Sequence, residues 1–407
     1  MSSRPYVPGS PARTGAPVRR ATGRWSEVKI WWREIDRVLL ALVLCLMAMG
    51  SIAVAAASPA SARRLSSGEV TLPDLYFFWA HLRWQILGLC AMIGASFLDR
   101  EHARRLGIVL AVAMLGALVF VPVLGYEVNG AKRWINLGFS FQPSEFLKPG
   151  FAILLAWVLS WRLRDPNLPV LSVATGLMVL VGGLLMLQPN LGDAILFGGV
   201  WLVLLTLSGM PLIRVGAFIG GGMGALGLAY LFYDNARHRI DSFFGGGVAF
   251  DQVDLAQRTL LAGGWSGTGF WLGLRKMQLP EAHTDYIFSV IGEEFGLIVC
   301  AIVVALYLAI VTRVLVRLVE EENLFALLAS AGLVTQLGGQ AFINILVNLR
   351  LFPSKGMTLP LVSYGGSSTI AVCLAVGLLL ALTRRNPFIT RETQGLRALF
   401  ATRETSQ

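Results

Sequence analysis

The residues best suited to chemistry in this chain are acids and bases placed where hydrophilic stretches enter apolar ones. Asp285 stands in Glu281-Ala-His-Thr-Asp-Tyr-Ile-Phe-Ser-Val-Ile-Gly-Glu-Glu294, at such a junction. A carboxylate there lies at headgroup depth, wet enough to ionise and close enough to lipid to meet a lipid-borne substrate. It could equally be a first-turn acid that complements a helix dipole. Glu145 and Lys148 follow Gln142-Pro143 at the head of another apolar run. Pro143 suits a first helical turn, Glu145 the positive end of the dipole, and the two charges, three residues apart, share a face on which they can pair. Lys148 falls inside the run, where an ammonium is costly unless it is paired or faces a cavity. Lys132, Arg133 and Trp134 precede this pair, and their plain reading is a basic and aromatic anchor at the interface. Asp193 closes the short turn Gln188-Pro-Asn-Leu-Gly-Asp193 as a further interfacial acid. Gln336, Gln340, Asn344 and Asn348 recur every four residues of one apolar run, so one helical stripe carries amides. Amides in lipid either join helices or line a polar cavity, and the pattern fits both.

Elements that cross a bilayer must position these groups. Of the 407 residues, 55% are hydrophobic and 14% charged, a balance that excludes an ordinary soluble domain and indicates a polytopic, all-α membrane protein. Ten apolar runs, at 38–57, 84–98, 106–124, 146–160, 170–187, 194–207, 215–233, 287–311, 324–346 and 369–382, approach the roughly 20 residues a spanning helix needs. The Pro-, Gly-, Ser- and Arg-rich residues 1–37 read as a disordered basic tail, 38–382 as the ten-helix membrane domain, and 383–407 as a C-terminal tail. With both termini inside, 21 of the 34 Lys and Arg fall in inner segments, which places the large 234–286 loop outside. The net charge of +10 is then a topology and anionic-lipid signal, and nucleic acid is not implied.

The remaining punctuation is informative. Residues 351–368 hold two prolines and several glycines, a non-helical backbone at membrane depth that is tolerable only when buried in protein or lining a cavity. In the large loop the glycines of 263–273 do not form a phosphate-binding Gly-x-x-x-x-Gly-Lys-Ser/Thr motif, while Trp265, Phe270, Trp271 and Leu274 suggest a segment lying flat on the membrane. Gly216, Gly220 and Gly224, four apart, predict a close-packed helix face. Cys45, Cys90, Cys300 and Cys373 show no metal or disulfide spacing.

Lys132-Arg-Trp-Ile135, Gln142-Pro-Ser-Glu145 with Lys148, Pro280-Glu-Ala-His-Thr-Asp285 with Gly292-Glu-Glu294, and Thr358-Leu-Pro-Leu-Val-Ser-Tyr-Gly-Gly-Ser-Ser368 occur in this order. In them the chain resembles the SEDS family of bacterial membrane proteins, to which FtsW, RodA and SpoVE belong, and the tails are more similar to those of the division member than of the elongation member. Trp265 and Gln278-Leu-Pro280 depart from the family pattern, which commonly has a small residue and an aromatic there.

The resemblance implies a peptidoglycan glycosyltransferase of the cytoplasmic (inner) membrane, active on its outer face at the septum. Its substrate would be lipid II, an undecaprenyl-diphosphate-linked disaccharide peptide, polymerised into beta-1,4 glycan. It carries the catalytic acid onto Asp285 and places Arg133, Glu145 and Lys148 in the same site; inverting chemistry then makes Asp285 the base and Arg133 and Lys148 the diphosphate-binding cations, with Glu145 orienting Lys148 and with Lys132, Gln340 and Ser363 as further candidate substrate-binding residues. The implied partners are a class B penicillin-binding protein (an FtsI-like transpeptidase), divisome proteins such as FtsQ, FtsL and FtsB, and membrane lipids. No residue cluster demands a metal, although a divalent cation such as Mg or Mn bridging Asp285 and the diphosphate is compatible with the chemistry. A lipid II flippase and an elongation-type polymerase are the alternatives.

Overall fold

The computed structural model describes residues 24–385 apart from 67–70, 129–130, 137, 164, 166, 355 and most of 233–251. Residues 36–384 make one compact unit. Residues up to 35 and from 385 on make another, in which helix α1 (Arg24–Glu34) accepts a hydrogen bond from Arg385 N at the Glu34 carbonyl, 3.3 Å. The expected disordered tail is thus helical over its last third. The expectation for 1–23, and most of that for 383–407, falls outside the described residues.

The larger unit is built from α2 (Arg37–Leu65), α3 (Tyr76–Ser96), α4 (Arg100–Leu124), α5 (Pro143–Ser160), α6 (Val170–Met186), α7 (Leu191–Leu207), α8 (Leu212–Phe232), α9 (Gln252–Ala262), α10 (Ile287–Leu318), α11 (Leu324–Asn348) and α12 (Ser367–Leu382). Each of the ten apolar runs overlaps one of these helices. Five of them, α2, α4, α8, α10 and α11, are long and apolar enough to cross a membrane, and α6, α7 and α12 are shorter apolar helices. α5, α11 and α12 are well-enclosed elements: Leu147, Ile153, Leu155 and Leu159 of α5, Leu328 and Ala329 of α11 and Leu378 and Leu380 of α12 are fully buried. The long side chains of the site therefore project from the best-packed part of the bundle.

Three features were not legible as helix periodicity. Between α4 and α5 the chain adds a small antiparallel sheet, β1 (Tyr126–Val128), β2 (Ala131–Asn136) and β3 (Ser140–Phe141) with β2 central, to an otherwise all-α architecture. α10 is broken at Gly296, whose φ of 84° and ψ of 172° are non-helical. The broken turn is satisfied by the glycine-rich loop, since Thr268 N donates to Glu293 O, Gly269 N to Glu294 O, and Leu297 N to Gly264 O. A Cβ on Gly296 would stand 2.3 Å from Trp265 O, so the loop and the broken helix approach as only glycine permits. Finally, Gly216, Gly220 and Gly224 of α8 have nothing within 4 Å of a Cβ position, so the predicted close-packed face has no neighbour among the described residues.

Candidate active site

Asp285 lies in the turn before α10, half-buried, with its backbone fixed from behind. Its carbonyl accepts Nδ2 of Asn344 at 2.8 Å and of Asn348 at 3.2 Å. The flanking loop is pinned by the 358–364 segment: Ser363 Oγ donates to Thr284 O at 2.6 Å and accepts Leu359 N at 2.8 Å, and Tyr364 N donates to His283 O at 3.0 Å. Both hydrogen-bonding roles of the Ser363 hydroxyl are therefore used inside the protein, and this residue, 4% exposed, supports the Asp285 loop from beneath. His283 packs between Phe77 and Tyr364, with ring centroids 4.2 and 5.4 Å away, and burial pushes its pKa down to about 4.

Arg133 reaches the same place from β2. Nε donates to Gln188 O at 3.2 Å, and Nη2 donates to Pro189 O, so the short turn between α6 and α7 aims the guanidinium. Across the cleft stands Gly356, with a φ of 63°. The point where its Cβ would sit is 3.7 Å from Asp285 Oδ2 and 3.9 Å from Arg133 Nη1. A carboxylate and a guanidinium on segments more than 150 residues apart thus share one small space, beside a narrow cleft lined by Asp285, Asn344, Val347, Gly356 and Met357. Lys132, the next residue of β2, is exposed.

Lys148 makes a second, enclosed cluster. Its Nζ donates to Glu145 Oε1 at 2.6 Å and Gln340 Oε1 at 3.1 Å and lies 3.1 Å from Asp193 Oδ1. The predicted Glu145–Lys148 pair is present, but Asp193 joins it, held by Ser144 Oγ at 2.9 Å and Asn190 Nδ2 at 2.7 Å. An ammonium has three N–H groups, and here all three face protein acceptors. Two carboxylates beside one cation leave the cluster no spare positive charge for a phosphate.

The sequence profile of the cell cycle proteins FtsW, RodA and SpoVE matches residues 36–387. This chain belongs to that family. A probable peptidoglycan glycosyltransferase FtsW of Caulobacter vibrioides is 32% identical over 360 residues, covering 88% of this chain and 91% of the relative. The probable peptidoglycan glycosyltransferase FtsW of Methylococcus capsulatus is 37% identical over 373 residues, 86% of this chain and 89% of that one. Among solved structures, a chain of a peptidoglycan synthase complex that coordinates polymerization and crosslinking aligns with a TM-score of 0.71 at 29% identity, covering 86% of this chain and 98% of its own. The rod shape determining protein RodA of Thermus thermophilus aligns with a TM-score of 0.64 at 29% identity, covering 86% and 97%.

In this family member the Gly-Glu-Glu motif has a structural task. Glu293 accepts Arg275 N at 2.7 Å and Lys276 N at 2.8 Å, while Glu294 accepts Gly273 N at 3.1 Å and pairs with the fully buried Lys276 ammonium. These bonds fold the loop that displays Trp265, Phe270, Trp271 and Leu274, all exposed as the membrane-surface expectation requires. Sequence reasoning missed the joining of Asp193 to the pair, the gap at Gly356 and the Lys276–Glu294 pair. The spacing of Asn190 and Asp193, three apart at a helix start, was the available signal for the first.

Proposed function

We propose that this FtsW-like membrane protein is a peptidoglycan glycosyltransferase that polymerises lipid II with inversion at the donor sugar. The observation that carries the reading is the meeting of Asp285 and Arg133 around Gly356, one proton acceptor and one fixed cation at the mouth of a cleft. Asp285 takes the proton of the acceptor's 4-hydroxyl as its oxygen bonds to the donor's anomeric carbon. The bond to the diphosphate breaks with its electron pair, and Arg133 balances the charge that departs. A positioned base contributes about 100- to 10,000-fold, and a cation aimed at developing charge more. Diphosphate leaves readily, so the second carboxylate that ordinary glycoside hydrolysis needs is not required. Glu145, Lys148, Asp193 and Gln340 act as the buried frame that carries Arg133's turn and the 358 loop, while Lys132 is left for the phosphates or the headgroups beside them.

The bias of Lys and Arg toward the inner segments supports ten spans with both termini inside, an arrangement in which this cleft faces outward from the inner membrane, an FtsI-like class B penicillin-binding protein would crosslink the product, and FtsQ, FtsL and FtsB would join the assembly. Among the described residues no three His, Cys, Asp or Glu side chains converge on a metal position. A single carboxylate together with a substrate diphosphate suffices for magnesium, so Asp285 would hold such an ion on the protein's side and the ion would help neutralise the departing charge. A transport reading would need the amide stripe to face substrate, but Gln340, Asn344 and Asn348 hold loop backbone. The test is lipid II polymerisation by the protein with and without its transpeptidase, beside Asp285→Asn. Glycan formation that Asp285→Asn abolishes supports the reading, whereas a folded Asp285→Asn protein working at the parent rate refutes the base.

A further inference from the structure

The amide stripe of α11 is more than a fastening between helices. Asn344 is 2% exposed and lines the same cleft as Asp285. Its amide donates to Asp285 O at 2.8 Å and to Met357 O at 2.6 Å. A primary amide has two N–H groups, and here each holds a different wall of the cleft: the turn carrying the carboxylate, and the segment just after Gly356. The turns on either side repeat the pattern. Asn348 donates to Asp285 O at 3.2 Å and accepts Ser289 Oγ at 2.7 Å, while Gln340 donates to Thr358 O at 3.0 Å and receives Lys148 Nζ at 3.1 Å. Both walls are irregular backbone, which has no ladder of its own to fix its position, so their separation is set by what bonds to their carbonyls. α11 is a buried, regular helix, and residues three or four apart on it keep a fixed spacing.

We propose that Asn344 is a positioning residue: by clamping Asp285 and Met357 from one rigid helix, it sets the distance at which the base meets the space beside Gly356. The clamp rests on the reading of Asp285 as the base. A displacement of about 1 Å at a reacting centre costs on the order of 100-fold in rate. Asn344→Leu removes both donors without adding charge. Asn344→Gln keeps both donors, carries no charge and shifts them by one methylene, which preserves folding while moving the clamp.

The experiment measures lipid II polymerisation by the full chain co-purified with its transpeptidase, over a range of lipid II concentrations, for the parent, Asn344→Leu, Asn344→Gln, Asp285→Asn and Gln336→Leu. Gln336 is on the same stripe, one turn before Gln340, and its buried side-chain oxygen has no hydrogen-bond partner among the described residues, so it reports a general disturbance of α11. We expect the rate at saturating lipid II to fall about 10- to 100-fold in Asn344→Leu and about tenfold in Asn344→Gln. The half-saturating concentration should move less than about threefold, because the clamp acts on the reacting geometry and leaves ground-state binding alone. Gln336→Leu should keep its rate. Parent rates in folded Asn344→Gln and Asn344→Leu overturn the clamp, as does a loss seen only in the half-saturating concentration. If Asp285→Asn is inactive while the Asn344 variants are normal, the clamp fails and the base stands; if Asp285→Asn is fully active, the base fails and the clamp with it.

Discussion

Replacing Lys148 by methionine asks whether this buried lysine handles substrate or holds the frame. The side chains of Lys148, Glu145 and Asp193 are 3%, 9% and 2% exposed, and the ammonium lies 2.6 and 3.1 Å from the two carboxylates. Lys148→Met keeps the stem and removes the charge, leaving two carboxylates enclosed with no cation between them. Breaking a buried pair in this way costs about 3–5 kcal/mol. At about 2 °C per kcal/mol for a chain of this size, melting should fall by roughly 6–10 °C. The neutral triple variant Glu145→Gln, Lys148→Met, Asp193→Asn replaces every charge by a near-isostere and should recover most of that loss, because no uncompensated ion remains. Melting is followed by the fluorescence of the 11 tryptophans in detergent, with lipid II polymerisation measured on the same samples. A Lys148→Met protein that melts within 2 °C of the parent, or a triple variant no more stable than the single one, refutes the argument. A triple variant that is as stable as the parent yet has lost lipid II binding would return Lys148 to the role of a phosphate ligand.

Two other perturbations read the site and its support. Gly356→Ala puts a methyl 3.7 Å from Asp285 Oδ2 and 3.9 Å from Arg133 Nη1, in ordinary contact, at a φ of 63° that costs an alanine about 1–2 kcal/mol. Polymerisation should fall by more than about 100-fold in protein that still folds, and Gly356→Asn, which tolerates this φ but fills more space, should be no better; an Asn variant more active than the Ala variant would mean that strain, not lost space, is responsible. His283, with its pKa pushed from 6.5 down to about 4 by burial, is neutral in the folded protein where the unfolded chain protonates. Its stabilisation is complete above pH 6.5 and is lost as pH falls toward 4, up to about 3 kcal/mol, and His283→Phe should lessen the fall of melting temperature with pH over that window while preserving the ring packing.

Much of the architecture was legible because lipid imposes one rule on the chain: apolar runs of spanning length become helices, since backbone polar groups have no other partners there. That rule located all ten helical runs, the irregular segment expected at 351–368, whose last two residues open α12, and the cost of an unpaired Lys148. The type and spacing of residues gave Asp285 and the Glu145–Lys148 pair as the groups to watch, while Arg133 read as an interfacial anchor and joined them only through the family resemblance. What these side chains do to one another depends on contacts between distant segments, which no local spacing encodes. Asp193, from the α6–α7 turn, turned a simple ion pair into a cluster with no cation to spare, and left Arg133 as the charge beside Asp285. The gap at Gly356 exists only because β2, the turn before α10 and the loop before α12 converge there. The amide stripe was visible as a period of four, but its targets are carbonyls of the 285 and 357–358 backbone, brought to it by folding. Periodicity follows from one helix meeting its solvent, whereas the site follows from several elements meeting each other, and only the packed structure holds that information.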